Sequence, residues 1–145
     1  MNRLKTLTFM IICAGGIAVA HGGVKNPAVM ARMETMTAIG AEMKTLGAMA
    51  KGAMAFDAFK ARASAATIAS HAAAIIEQFR AQESDPKSEA KPLIWNNFDD
   101  FSTHAKALEL AAQTASKNVE TQDDLGQALA ALGGTCKACH KDYRE

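Results

Sequence analysis

Cys136-Lys137-Ala138-Cys139-His140 lies almost at the end of the 145-residue chain. Its spacing, C-x-x-C-H, is that of covalent c-type haem attachment. Two thiols add across the two vinyl groups of one porphyrin, and the adjoining histidine reaches the iron from the same side. Residues three and four apart share a helix face, so Cys136, Cys139 and His140 can converge on one ligand. Leu125, Leu129, Leu132, Cys136, Cys139 and Tyr143 follow one another in alternating steps of four and three, which is the period of an amphipathic helix. Both cysteines therefore share a stripe with core leucines, and a cofactor attached there hangs from the inner face of the last helix.

Other uses of C-x-x-C are half of a zinc site and a dithiol redox pair. A zinc site normally needs four ligands, and this chain has no second C-x-x-C, its other histidines being scattered. A thioredoxin-like pair expects a βαβ surround, and no such alternation of strands and helices is visible. A disulfide between the two cysteines is a further possibility for an exported chain, but it leaves the adjacent His140 without a role.

Upstream of the motif, three more helices can be read. Asn26 is a good N-cap and Pro27 suits the first helical position. Val29, Met33, Met36, Ile39, Met43, Leu46 and Ala50 then keep helical spacing, which predicts a helix over about 27–51. Asp57 can cap a second helix whose stripe is Ala58, Ala61, Ala65, Ile68, Ala72, Ile75 and Phe79. The alanines let a neighbouring helix or a flat ligand approach closely. The stretch from Glu83 to Pro92 holds two prolines, two serines and mixed charges, and reads as a solvated crossover. Leu93-Ile94-Trp95 is expected to tuck under the bundle. A third helix is expected over about 97–117, with Phe98, Phe101, Ala105, Leu108 and Ala112 on one face. Thr121-Gln122-Asp123-Asp124 looks like a capping box opening the fourth. Four amphipathic helices with mostly short links predict an all-α protein, an antiparallel four-helix bundle with its cofactor between facing helices.

Length suits one domain, and abundant Ala with few β-branched residues agrees with helix. A formal charge of +1 argues against a nucleic-acid partner. The amino terminus has the form of an export signal: Arg3 and Lys5 precede an apolar run from Leu7 to Ala20 that ends in Ala18-Val19-Ala20. Residues 1–20 are thus expected to be cleaved, leaving a single domain over 21–145. The run is short for a retained membrane anchor of about 20 residues, so no membrane association is expected after cleavage. Cleavage removes Cys13 and two positive charges, which takes the formal charge from +1 to about −1 and leaves only the two motif cysteines. No nucleophile–base pair and no phosphate loop appears, so enzymatic hydrolysis or group transfer finds no support.

From about Val29 onward the chain resembles the class II c-type cytochromes, the cytochrome c′ family. The resemblance is carried by Gly133-Gly134-Thr135-Cys136-Lys137-Ala138-Cys139-His140 at the carboxyl end, by Lys91-Pro92-Leu93-Ile94-Trp95-Asn96-Asn97-Phe98 before the third helix, and by Ala31-Arg32-Met33-Glu34-Thr35-Met36 in the first. It implies one haem c, covalent through Cys136 and Cys139, with His140 as proximal ligand. It also implies an arginine near the haem edge at Arg32, a residue facing the open side of the iron at Met36, and an arginine near the proximal face at Arg144. Several members carry Leu or Phe in the place of Met36 and leave the iron five-coordinate, whereas a low-spin branch has a ligating Met.

Two functions follow from that one position. If Met36 binds the iron, His/Met ligation suits a periplasmic electron carrier serving redox proteins. If it only covers the porphyrin, an apolar distal face admits NO or CO, and the role becomes gas buffering or protection. Met stripes at helical spacing are usually core, so both readings stand. Arg32 can pair with a haem propionate or be a solvated helix residue, and the same holds for Arg144, which the chain end can fray. His71 and His104 lie mid-helix and read as surface or satisfied residues rather than second ligands. The resemblance further implies a homodimer through the first two helices, in a bacterial periplasm.

Overall fold

The computed structural model describes residues 23–145, and the export-signal reading of residues 1–20 lies outside them. Asn26 caps α1 (Pro27–Ala50), its side-chain oxygen accepting from the N–H groups of Ala28 at 2.9 Å and Val29 at 3.1 Å. The helix gives way at Lys51 and Gly52; Gly52 has φ +73°, a left-handed turn that favours glycine. Asp57 caps α2 (Ala58–Gln78) by accepting from the Lys60 N–H at 3.0 Å. After a connector come the single turn α3 (Leu93–Asn96) and α4 (Phe98–Asn118). Thr121 and Asp124 form the expected capping box, and α5 (Gln122–Tyr143) runs unbroken through Gly133-Gly134 and the cysteines.

The four long helices form the antiparallel bundle that the sequence predicts, with α3 as an additional turn. In the ring of neighbours, α1 packs on α2, α2 on α4, α4 on α5 and α5 back on α1. The α2–α4 seam is the tightest, because small residues line it: Ala61, Ala65 and Ala72 on α2, Ala105 and Ala112 on α4, all buried. The α5–α1 seam is the loosest. Leu46, Met49, Ile68, Leu125 and Leu132 fill the core.

The α1 stripe differs from the sequence expectation in an informative way. Val29, Ile39 and Leu46 are buried as expected, but so are Arg32 and Thr35, while Met33, Met36 and Met43 are only half-buried. Arg32 turns inward. Its Nε donates to the Gln78 carbonyl at 2.9 Å, Nη1 to Glu83 at 2.9 Å and Nη2 to Ala81 at 2.7 Å. The guanidinium also lies over the rings of Phe79 and Trp95, 4.7 and 5.4 Å from their centroids. It is therefore not a solvated helix arginine; it closes the carboxyl end of α2, where helix carbonyls are unpaired and the dipole is negative. Arg32→Ala should cost about 2–3 kcal/mol, read as a lowered urea midpoint, because three carbonyls lose a charged donor and two rings lose their cation. Arg32→Lys should recover little, since an ammonium cannot span three acceptors as the planar fork does.

The connector from 79 to 92 is tied down at both ends. The Asp85 carboxylate accepts from the N–H groups of Lys87, Lys25 and Asn26, and these bonds, that of Lys87 foremost, hold its carboxyl below the usual range. Further on, the Lys91 N–H donates to the Tyr143 carbonyl at 3.0 Å and the Glu145 N–H to the Glu89 carbonyl at 2.9 Å. The end of the chain is thereby pinned rather than frayed. Ile94 is buried, and the Trp95 indole donates to the Phe79 carbonyl at 2.8 Å, while Leu93 stays partly exposed.

Candidate functional site

Where α1 and α5 diverge, at the end of the bundle that carries the connector, a cavity of about 500 Å³ opens between the helices. Its α1 wall is Met33, Met36, Ile39 and Met43; α2 adds Ile75 and Phe79, and α4 adds Phe101, Ala105 and Leu108. The opposite wall, from α5, holds Cys136, Cys139 and His140. The half-buried methionines of α1 and the half-buried cysteines of α5 have one cause: each stripe faces the cavity instead of another helix.

All six residues singled out in the sequence border this cavity. Arg32 and Met36 come from α1, and Cys136, Cys139, His140 and Arg144 from the far end of the chain. The two cysteines are free thiols. Burial pushes both thiols up; that of Cys139 rises to about 11, through burial first and then through Cys136, Asp100 and Asp142. Both are therefore protonated near neutral pH, which slows their oxidation to a disulfide. Partial burial, with the Arg144 charge second, pulls the His140 imidazole below its ordinary value, against an opposing effect of Glu89. A neutral imidazole keeps a lone pair for a metal. Arg144 is not loose at the chain end: its Nε donates to Glu89 at 2.6 Å.

The site fits a haem. A porphyrin is flat and apolar with charge only at its propionate edge. The cavity walls are mainly methionine, aliphatic and phenyl, two thiols three residues apart stand beside a neutral imidazole, and the exposed Arg144 stands at the rim. A zinc centre finds less: among the described residues no group of three or more His, Cys, Asp or Glu side chains could hold a metal ion. Among the same residues no helix is long and apolar enough to cross a membrane.

Reading the sequence alone missed a polar group on this wall. The Tyr143 hydroxyl donates to Asp100 at 2.5 Å and accepts from Asn97 Nδ2 at 3.3 Å; burial first, then Asp100, pushes the phenol up to about 12. His104 also lines the cavity, whereas His71 does not. A signal for His104 existed, since it stands three residues after Phe101 and four before Leu108, on the stripe that the apolar residues define.

Comparison with known proteins places this geometry in context. Residues 27–144 match the family model described as Cytochrome C′. A cytochrome c-556 of Agrobacterium tumefaciens (strain apple 185) is 42% identical over 126 residues, 86% of this chain and 97% of that protein. The structure of cytochrome c′ from Rhodopseudomonas palustris superposes with a TM-score of 0.78 at 26% identity, over 83% of this chain and 98% of that one. That of oxidized R. palustris cytochrome c556 gives 0.74 at 25% identity, again over 83% and 98%.

Proposed function

The chain belongs to the cytochrome c′ family, and from that premise we propose that it is an exported, periplasmic carrier of single electrons in which His140 and Met36 would hold the iron. Its cofactor is one haem c, covalent through Cys136 and Cys139. Haem c supplies a one-electron Fe(III)/Fe(II) couple. The observation that carries the proposal is that the Met36 wall of α1 and the His140 wall of α5 border one cavity.

Each residue then has a task. Cys136 and Cys139 hold the porphyrin by thioether bonds, on a helix whose capping box and core leucines fix its position. His140 offers a neutral nitrogen, and Met36 offers a soft sulfur that favours the reduced state and raises the potential. Phe101, Leu108 and Ile39 keep water from the wall, so little solvent rearranges when charge changes. Arg144, paired with Glu89, borders the rim near His140, and Arg32 holds the connector while bordering the opposite wall. The proposed partners are one-electron redox proteins and, through the first two helices, a second copy of the chain.

Mass and spectrum test this. The purified chain should be heavier than its polypeptide by one haem that resists acid extraction, and should begin after the export signal. Oxidised, it should be low-spin with a sulfur-to-iron band in the near-infrared. A high-spin spectrum without that band sinks Met36 ligation and leaves the five-coordinate alternative, with Met36 as apolar cover for NO or CO.

A further inference from the structure

His104 is an imidazole on the cavity wall that the proposed electron transfer does not use. Its Nε2 lies 3.6 Å from Asp100 Oδ2, and its side chain is 26% exposed against 51% for Asp100. Its ring meets that of Tyr143 edge-on, with centroids 6.0 Å apart. Asp100 in turn accepts the Tyr143 hydroxyl at 2.5 Å. The carboxylate thus accepts from a phenol that keeps its proton at neutral pH and lies within ion-pair distance of the imidazole. Asp100 is open to water, while His104 reaches the cavity.

We propose that His104, held against Asp100, is a redox-linked proton site: it takes a proton from solvent when the cavity's iron is reduced by a one-electron donor protein, and releases it on oxidation. The proposal rests on the haem reading above. One electron and up to one proton enter together and leave together; the only bond made or broken is N–H on the imidazole. The physical cause is Coulombic. A unit of charge placed in the cavity that His104 borders, at an effective dielectric of about 20, changes the proton affinity of an imidazole by roughly tenfold.

Charged and titratable groups face His104 from several elements. On its own helix stands Asp100, its Oδ2 3.6 Å from the imidazole Nε2. From α5 come the neutral Tyr143, the carboxylate of Asp142, which acts on Tyr143 and Cys139, and Cys139 and His140, both committed to the cofactor. From the connector comes Glu89, neutralised by Arg144. From α1 comes Arg32, whose donors reach carbonyls. The α2 and α3 walls, Ile75, Phe79 and Ile94, carry no charge. Among these groups His104 is the uncommitted side chain of the type that ordinarily changes charge between pH 5 and 8.

Two measurements on the haem-loaded protein test it. The first follows the carbon-bound imidazole protons of His104 by NMR against pH in both oxidation states, the signals being assigned by their loss in His104→Gln. The second follows the midpoint potential against pH. Proton affinity should be about tenfold higher in the reduced protein. The potential should therefore fall as pH rises between the two titration points, by about 59 mV in all for a tenfold difference. His104→Gln should flatten that limb without altering the visible spectrum. An imidazole that titrates identically in both states overturns the proposal, as does a pH limb that survives in His104→Gln and so belongs to the haem propionates. A chain that carries no haem by mass overturns the haem reading itself, and this proposal with it.

Discussion

Replacing Cys136 and Cys139 together by serine should give a chain with no covalent haem and a fold that loosens around the vacated end. A serine hydroxyl is too weak a nucleophile to add to a vinyl group, so acid extraction should remove any pigment that copurifies. The stability effect should be large for a volumetric reason. A dry cavity of about 500 Å³, at about 24 cal/mol per Å³, costs on the order of 12 kcal/mol, which rivals the whole stability of a domain. This cavity opens to solvent on one side, so water and inward collapse relieve part of that, and the expected loss is about 5 kcal/mol, the upper end for emptying a buried apolar site. For a domain of this size that lowers Tm by about 20 °C. Calorimetry and near-ultraviolet circular dichroism are the readouts. The far end, built on Leu46, Met49, Leu125 and the α2–α4 alanines, needs no cofactor and should keep its helices. Either single replacement should be milder, because one thioether and His140 remain. A double variant that still carries acid-stable haem, or that melts with the unmodified protein, sinks this account.

The contrast between the two ends of the bundle explains what the sequence discloses. Helix starts are local chemistry, so Asn26, Asp57 and the Thr121–Asp124 box could be read directly and stand where expected. The α5 stripe was legible for the same reason, and it located the cysteines on the inner face. Three things were not local. Met33, Met36 and Met43 have the spacing of core residues whether a helix or a porphyrin faces them, so periodicity cannot announce a cavity. The acceptors of Arg32 lie 46 to 51 residues downstream, and no pattern around Arg32 points to them. Asp100 reads fully as a helix-start acid, which hides its second task as partner of Tyr143 and neighbour of His104. The turn α3 is too short for a period to show at all.

Met36→Ala should turn the oxidised protein from low-spin to high-spin, abolish the near-infrared sulfur-to-iron band, lower the potential and open the iron to NO and CO. The potential falls because a thioether stabilises the reduced state, and its loss removes that preference. The variant should fold. Met36 is half-buried, so the usual 2–5 kcal/mol for deleting a buried Met side chain is reduced to about 1–2 kcal/mol. The position of α1 does not depend on a bond to iron, because Arg32, one turn earlier, holds it to the connector and to the end of α2. Met33→Ala is the decisive companion. Met33 lies three residues before Met36 on the same cavity wall, so its truncation removes a similar apolar surface. If apolar cover were the whole role of these side chains, the two variants would behave alike. Ligation by Met36 requires that they differ, with the spectrum lost in Met36→Ala and kept in Met33→Ala. The reverse pattern would move the ligand to Met33. A high-spin spectrum in the unmodified protein, unchanged in both variants, would make α1 a lid over a five-coordinate iron.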